Sequence, residues 1–145
     1  MKGIYFLILK LNNNIDLAIG KLGTFHFNTG YYYYIGSAFG TGGFKRVTRH
    51  FNVASGKNNT RKWHIDHLLP HSEVICAVLL PTGEALECKA AQTLIGFSEL
   101  IPGFGCSDCA CKSHLFFSEK DIKDNIIRIA NKLTENESII IYPGI

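Results

Sequence analysis

Nine residues near the start of the chain, GIYFLILKL at positions 3–11, leave little freedom in how this protein folds. A run so apolar, ended by the turn cluster Asn12-Asn13-Asn14, predicts a strand buried in a sheet. A second, aromatic stretch at 31–37 predicts another. The first carries Gly3-Ile4-Tyr5 and the second Tyr34-Ile35-Gly36. Shortly after the second comes a basic helix with Arg46 and His50, and far downstream a helix bearing Glu87. Two phenols, a guanidinium, an imidazole and a lone carboxylate suit the cleavage of a phosphodiester with one divalent metal ion.

The remaining elements follow from periodicity and turn residues. Residues 17–19 and 24–28, separated by Gly20-Lys21-Leu22-Gly23, predict a small hairpin. Phe44, Val47, Phe51 and Ala54 recur at three to four residues, so a helix over 44–54 buries one stripe. A short helix is expected over 63–69, stopped by Pro70. A strand over 73–80, a helix over 84–95 and a glycine- and cysteine-rich loop at 102–112 come next. A strand over 114–117 precedes a helix over 119–133, capped by Ser118 with Asp121 in its first turn. A strand over 138–142 ends the series. Strands alternate with helices, but the early hairpin favours an α+β fold over a doubly wound sheet. At 145 residues, one domain able to bury a core without staples is expected.

The net charge of +3 conceals a lopsided distribution. Residues 1–65 hold nine basic side chains against one acidic, and residues 66–145 six basic against eleven acidic. No acid stands between Asp16 and Asp66, a stretch carrying Lys21, Lys45, Arg46, Arg49, Lys57, Arg61 and Lys62. A one-sided field of this kind attracts polyanions, nucleic acid foremost; the bland alternative is a solvated basic surface. The run 4–9 is too short to span a bilayer, and no small-residue cleavage site follows it. Five unevenly spaced cysteines argue against a secreted disulfide framework, so a cytoplasmic protein that does not engage membranes is expected.

In their order along the chain, GIYFLILKL, GYYYYIGSAFG, GFKRVTRHF, KWHIDHLL, LECKAAQ and GFGCSDCACKSHLFF resemble the GIY-YIG nuclease superfamily. Within it they are most similar to a branch of Uri-type endonucleases and domains of unknown function, some fused to endonuclease III. The similarity covers most of residues 3–117. It implies an α+β fold on a small, mainly antiparallel three-stranded sheet flanked by helices. It also implies DNA as substrate and hydrolysis of its phosphodiester bonds by metal-activated water. Carried over residue by residue, it assigns the catalytic set Tyr5, Tyr34, Arg46, His50 and Glu87, with Glu87 holding Mg2+ or Mn2+. The interval between the tyrosines far exceeds the superfamily's usual one, so the hairpin at 15–28 reads as an insertion. Nothing from Glu87 to Asp124 is the asparagine that superfamily members often carry near the site; Ser107 and Asp108 are the candidates for its place.

Each residue has a plainer reading beside this one. Tyr5 and Tyr34 would otherwise be sheet aromatics filling a core face. Arg46 and His50 are four apart and expected on the helix face opposite the Phe44/Val47/Phe51 stripe. Lys45 and Arg49 form a second such pair, read as contacts to the nucleic-acid backbone together with Lys57, Arg61 and Lys62. Glu87, flanked by Leu86 and Cys88, is a partly buried acid in want of a partner, whereas Glu84 fits the helix dipole better. His64 is either a neighbour of the site or a structural histidine. Cys106, Cys109, Cys111 and His114 have zinc-ligand chemistry at a cramped spacing. They read instead as a loop with packed cysteines, so no zinc is expected. Two other functions stay open: a nucleic-acid-binding module with a decayed site, and a zinc-stabilised interaction domain.

Overall fold

The computed structural model describes residues 2–105, 113–135 and 137–144. The architecture is α+β, a six-stranded antiparallel sheet with helices on both faces and a separate two-stranded sheet. β1 (Gly3–Leu11) lies near its middle, paired with β4 (Gly30–Ala38) on one side and β5 (Glu73–Pro81) on the other. β4 continues to β7 (Leu115–Ser118) and then to β6 (Glu99–Leu100), while β5 carries β8 (Ile139–Ile141) at the opposite edge. The sheet thus exceeds the three strands that the resemblance implies. The extra strands are short, and the two-residue β6 has no sequence signal of its own. β2 (Ile15–Ala18) and β3 (Thr24–Phe27) form the expected hairpin as the small second sheet.

β1 reads as an unbroken apolar run because both of its faces are covered. Tyr5, Leu7, Leu9 and Leu11 face α1 (Lys45–Ser55), α2 (His64–Leu68) and the hairpin, meeting Val47, Val53, Ile65, Leu68 and Phe27. Ile4, Phe6 and Ile8 face α3 (Glu87–Leu94) and α4 (Lys123–Thr134), meeting Ala90, Ala91, Leu94, Ile126, Ile129 and Ala130. Buried on two sides, a strand has no polar face to alternate with.

Two helices start later than periodicity suggests. The Thr82 hydroxyl accepts the Glu84 N–H at 3.1 Å, holding the chain in a turn until Glu87 opens α3. Before α4, the Ser118 hydroxyl accepts the Lys120 N–H and Tyr33 Oη accepts the Ile122 N–H, at 3.2 and 3.0 Å. Ser118 therefore does not cap α4, and Asp121 lies outside its first turn, accepting the Lys123 N–H instead. Side chains that take backbone donors in this way compete with the helix. Pro70 does not end its element; it sits at the start of a 3-10 turn, Leu69–His71, that prolongs α2. Of the described cysteines, Cys76 is free and buried while Cys88 is disulfide-bonded, which the odd cysteine count does not anticipate. Among the described residues no helix is long and apolar enough to cross a membrane.

Candidate active site

The register of β1 and β4 places Tyr5 opposite Gly36 and Leu7 opposite Tyr34. The two phenols are diagonal neighbours on the face below α1. A Cβ on Gly36 would come within 2.3 Å of both Cζ and Oη of Tyr5, so the ring lies against bare backbone. That contact is the physical reason for a glycine after Tyr34-Ile35. Gly3 answers a similar constraint, for its Cβ would meet the Leu80 carbonyl oxygen at 2.0 Å.

Beneath α1, Tyr5 Oη lies 2.6 Å from His50 Nε2. Both side chains are buried, so His50 belongs to the covered face of α1 with Val47 and Val53, and not to the face opposite the apolar stripe. Desolvation sets the protonation of the pair. Burial pushes the Tyr5 phenol well above its usual value, reinforced by Tyr34 and opposed by Arg46 and Arg49. Burial likewise pushes His50 down to about 3, with Asp66 opposing and Arg49 and Arg46 reinforcing. A protonated phenol therefore faces a neutral imidazole, and His50 Nδ1 is buried with no hydrogen-bond partner among the described residues.

Three residues apart on one helix, Arg46 and Arg49 have different partners. Arg49 donates through both terminal nitrogens to Asp66, at 2.9 and 3.0 Å. Asp66 also accepts the Lys62 and Trp63 N–H groups and is fully buried. Burial alone would raise the Asp66 carboxyl, but Arg49 and the two N–H groups outweigh it and hold it below its ordinary value. Arg49, expected to contact nucleic acid, thus spends its guanidinium on an internal carboxylate. Arg46 donates from Nη1 to the Ser37 carbonyl at 2.8 Å, and its Cζ stands 4.7 Å from the centre of the Trp63 ring.

Tyr5, Tyr34, Gly36, Arg46, Lys62, Trp63, His64, Glu87, Gly105 and His114 converge on one cavity of about 280 Å³. The His64 ring accepts the Gly105 N–H on Nδ1 at 2.9 Å, which leaves Nε2 as the donor. Burial lowers the pKa values of His64 and His114, and the nearby Glu87 opposes this at His114. Glu87, first residue of α3, reaches the cavity from the helix packed on the other face of the sheet. A larger groove of about 1060 Å³ lies between α3 and α4, but none of its polar lining groups is buried.

The cavity therefore gathers Tyr5, Tyr34, Arg46, Glu87 and His64, with His50 bonded behind Tyr5. Lys45, Lys57, Arg61 and Lys62 are exposed on α1 and on the segment leading to α2. Ser107 and Asp108, and the Cys106, Cys109 and Cys111 of the zinc question, lie outside the described residues. Among the described residues no group of three or more His, Cys, Asp or Glu side chains is arranged to hold a metal ion. Sequence reasoning missed Trp63 and Asp66, which organise the arginines. An acid three residues after a helix start was the available signal for the Asp66 cap.

A family model described as "Domain of unknown function DUF123" matches residues 4–135. No curated protein and no solved structure matches the chain.

Proposed function

The chain belongs to the DUF123 family, and we propose that it is a GIY-YIG-type endonuclease that hydrolyses DNA phosphodiester bonds with a divalent metal ion. One observation carries this reading. Phenol, imidazole, guanidinium and carboxylate from β1, β4, α1 and α3 meet around a single cavity, and the phenol is already hydrogen-bonded to the imidazole.

The roles proposed are these. Arg46 keeps N–H groups beyond the one given to Ser37, and a guanidinium fork suits two oxygens of a phosphate. Tyr5 takes the proton of an attacking water as it hands its own to His50 Nε2. The water O–H breaks, a new Tyr5 O–H forms, and the imidazole ends with one proton more. Arg46 and Arg49 both depress His50, so a phosphate anion on Arg46 offsets part of that depression. Tyr34 and the Nε2–H of His64 stand at the same cavity as hydrogen-bonding groups for the remaining oxygens.

Glu87 is the residue that would hold the metal. No hydrogen bond occupies its half-buried carboxylate among the described residues, and one hard carboxylate suffices for an ion that keeps several waters and takes oxygen from phosphate. Bound there, Mg2+ or Mn2+ supplies charge neutralisation at the phosphate and a more acidic water.

The test is a cleavage assay on duplex, nicked, flapped, branched and single-stranded DNA with magnesium or manganese. Glu87→Gln keeps shape and removes the charge, so cleavage is lost while DNA binding is kept or tightens. Binding by the parent should weaken with salt at a log–log slope of roughly −4, for four or five phosphate contacts on duplex. A nucleic-acid-binding module without chemistry predicts binding and no cleavage by the parent. A slope near zero, or equal cleavage by Glu87→Gln, removes the nuclease reading of this site.

A further inference from the structure

We propose that Trp63, locked by the Arg49–Asp66 ion pair, is the positioning residue for Arg46. It holds that guanidinium at the cavity wall in the place where a phosphate is to be met. The functional half of the inference rests on the nuclease reading above; the structural half does not.

Four observations support it. Asp66 binds Arg49 with two bonds and the Trp63 and Lys62 N–H groups with two more, so one buried carboxylate sets both the helix start and Arg49. The Arg49 Cζ lies 4.1 Å from the centre of the Trp63 ring, which braces the indole against α1. That ring then stands 4.7 Å from the Arg46 Cζ. The Ser37 carbonyl holds Arg46 at a second point.

Unsupported, an arginine side chain gives up rotamer freedom on being fixed. It would also be pushed away by a second guanidinium three residues on. Here Asp66 neutralises Arg49, and the indole offers Arg46 the electron-rich face that cations prefer. The ordering cost is met before substrate arrives, which is where pre-organisation helps a reaction. Two guanidinium groups and the Lys62 ammonium, 5.7 Å away, already lie over this ring.

The experiment combines Trp63→Leu and Trp63→Phe with Arg46→Ala in a double-mutant cycle. Trp63→Leu should lower kcat by about tenfold to a hundredfold, the scale of misplacing a reacting group. The Kd for the same oligonucleotide rises far less than kcat falls, Trp63→Phe restores most of the rate, and Trp63→Leu adds nothing once Arg46 is alanine. A merely structural tryptophan would instead give additive losses that track thermal stability, which overturns the proposal.

A second readout needs no turnover. The Nε–H resonance of Arg46, shifted by the indole in the parent, should move toward the free-arginine position in Trp63→Leu. A resonance that stays in place sinks the inference. If the parent cuts no DNA, the nuclease reading falls while this resonance still decides whether Trp63 places Arg46. Should Trp63→Leu fail to fold, Asp66→Asn keeps the volume and loosens the clamp. It must move the resonance too, and an unmoved one counts against the proposal.

Discussion

One face of the sheet is covered by α3 and α4 through aliphatic side chains, and the hydroxyl of its Tyr33 is spent on the backbone at Lys120 and Ile122. The other face buries a phenol, an imidazole and a carboxylate beneath α1 and α2. Only the second leaves a buried polar atom, His50 Nδ1, without a hydrogen-bond partner among the described residues. Such an omission costs about 1–3 kcal/mol. A fold tolerates that cost where the group has a use other than packing. The first face is packed almost wholly by aliphatic side chains, and the second carries the buried polar groups on which the proposed function rests.

The largest effect expected from breaking this division is on the aliphatic face. Leu94→Ala should cost about 2–5 kcal/mol in urea unfolding, while the rate of DNA cleavage per folded molecule holds. A rate that falls in step with stability would show that the two faces are not separable.

On the other face, Tyr5→Phe removes one hydroxyl from the pair with His50 and should lower cleavage by about two to three orders of magnitude at near-parental stability. Equal cleavage by parent and variant would return Tyr5 to the packing role of an ordinary sheet aromatic.

The third test uses acid. The unfolded chain protonates His50 near pH 6.5, whereas the folded chain resists until about 3, because burial disfavours the imidazolium. The unfolded state thus binds the extra proton between those values, and the stability due to a neutral His50 is lost as pH falls through that window. The slope is up to about 1.4 kcal/mol per pH unit. Asp66, with its depressed pKa, contributes stability that is present above its unfolded value and lost below it, in the same direction. His50→Gln should flatten the profile between pH 6 and 4 by about that slope; identical profiles would contradict the buried neutral imidazole.

The smallest effect sharpens the contrast between two tyrosines. Tyr33→Phe removes the acceptor of the Ile122 N–H and the donor to the Lys120 carbonyl, on the face that lacks the cavity. It should cost on the order of 1 kcal/mol of stability and leave cleavage untouched. A rate loss like that of Tyr5→Phe would mean that both faces feed the site.

The strands β1 and β4 were legible because burial of a central strand on two sides demands the continuous apolar composition that the sequence displays. The helix α1 was legible by its period, but the side that His50 faces was not. Apolar residues mark a stripe, and a histidine inside it reads as polar until a phenol 45 positions away is seen to receive it. The starts of α3 and α4 were missed because side-chain hydroxyls intercept the backbone donors there, and that depends on distances no pattern encodes. The roles of Trp63 and Asp66 were not legible, because the arginine they hold stands on another helix more than ten residues away.

By itself, the sequence determined the alternation of strands and helices, the basic first half, and the residue types available for chemistry. Those follow from local propensity and from charge, which are properties of neighbours along the chain. Only the tertiary structure decided how those groups are used. Arg46 and Arg49 are the same residue on the same helix; one is tied to a buried carboxylate and the other opens on a cavity. Glu87 enters that cavity from a helix on the far side of the sheet. What an ionisable group does is set by the few ångströms around it, and those are filled by residues distant in sequence.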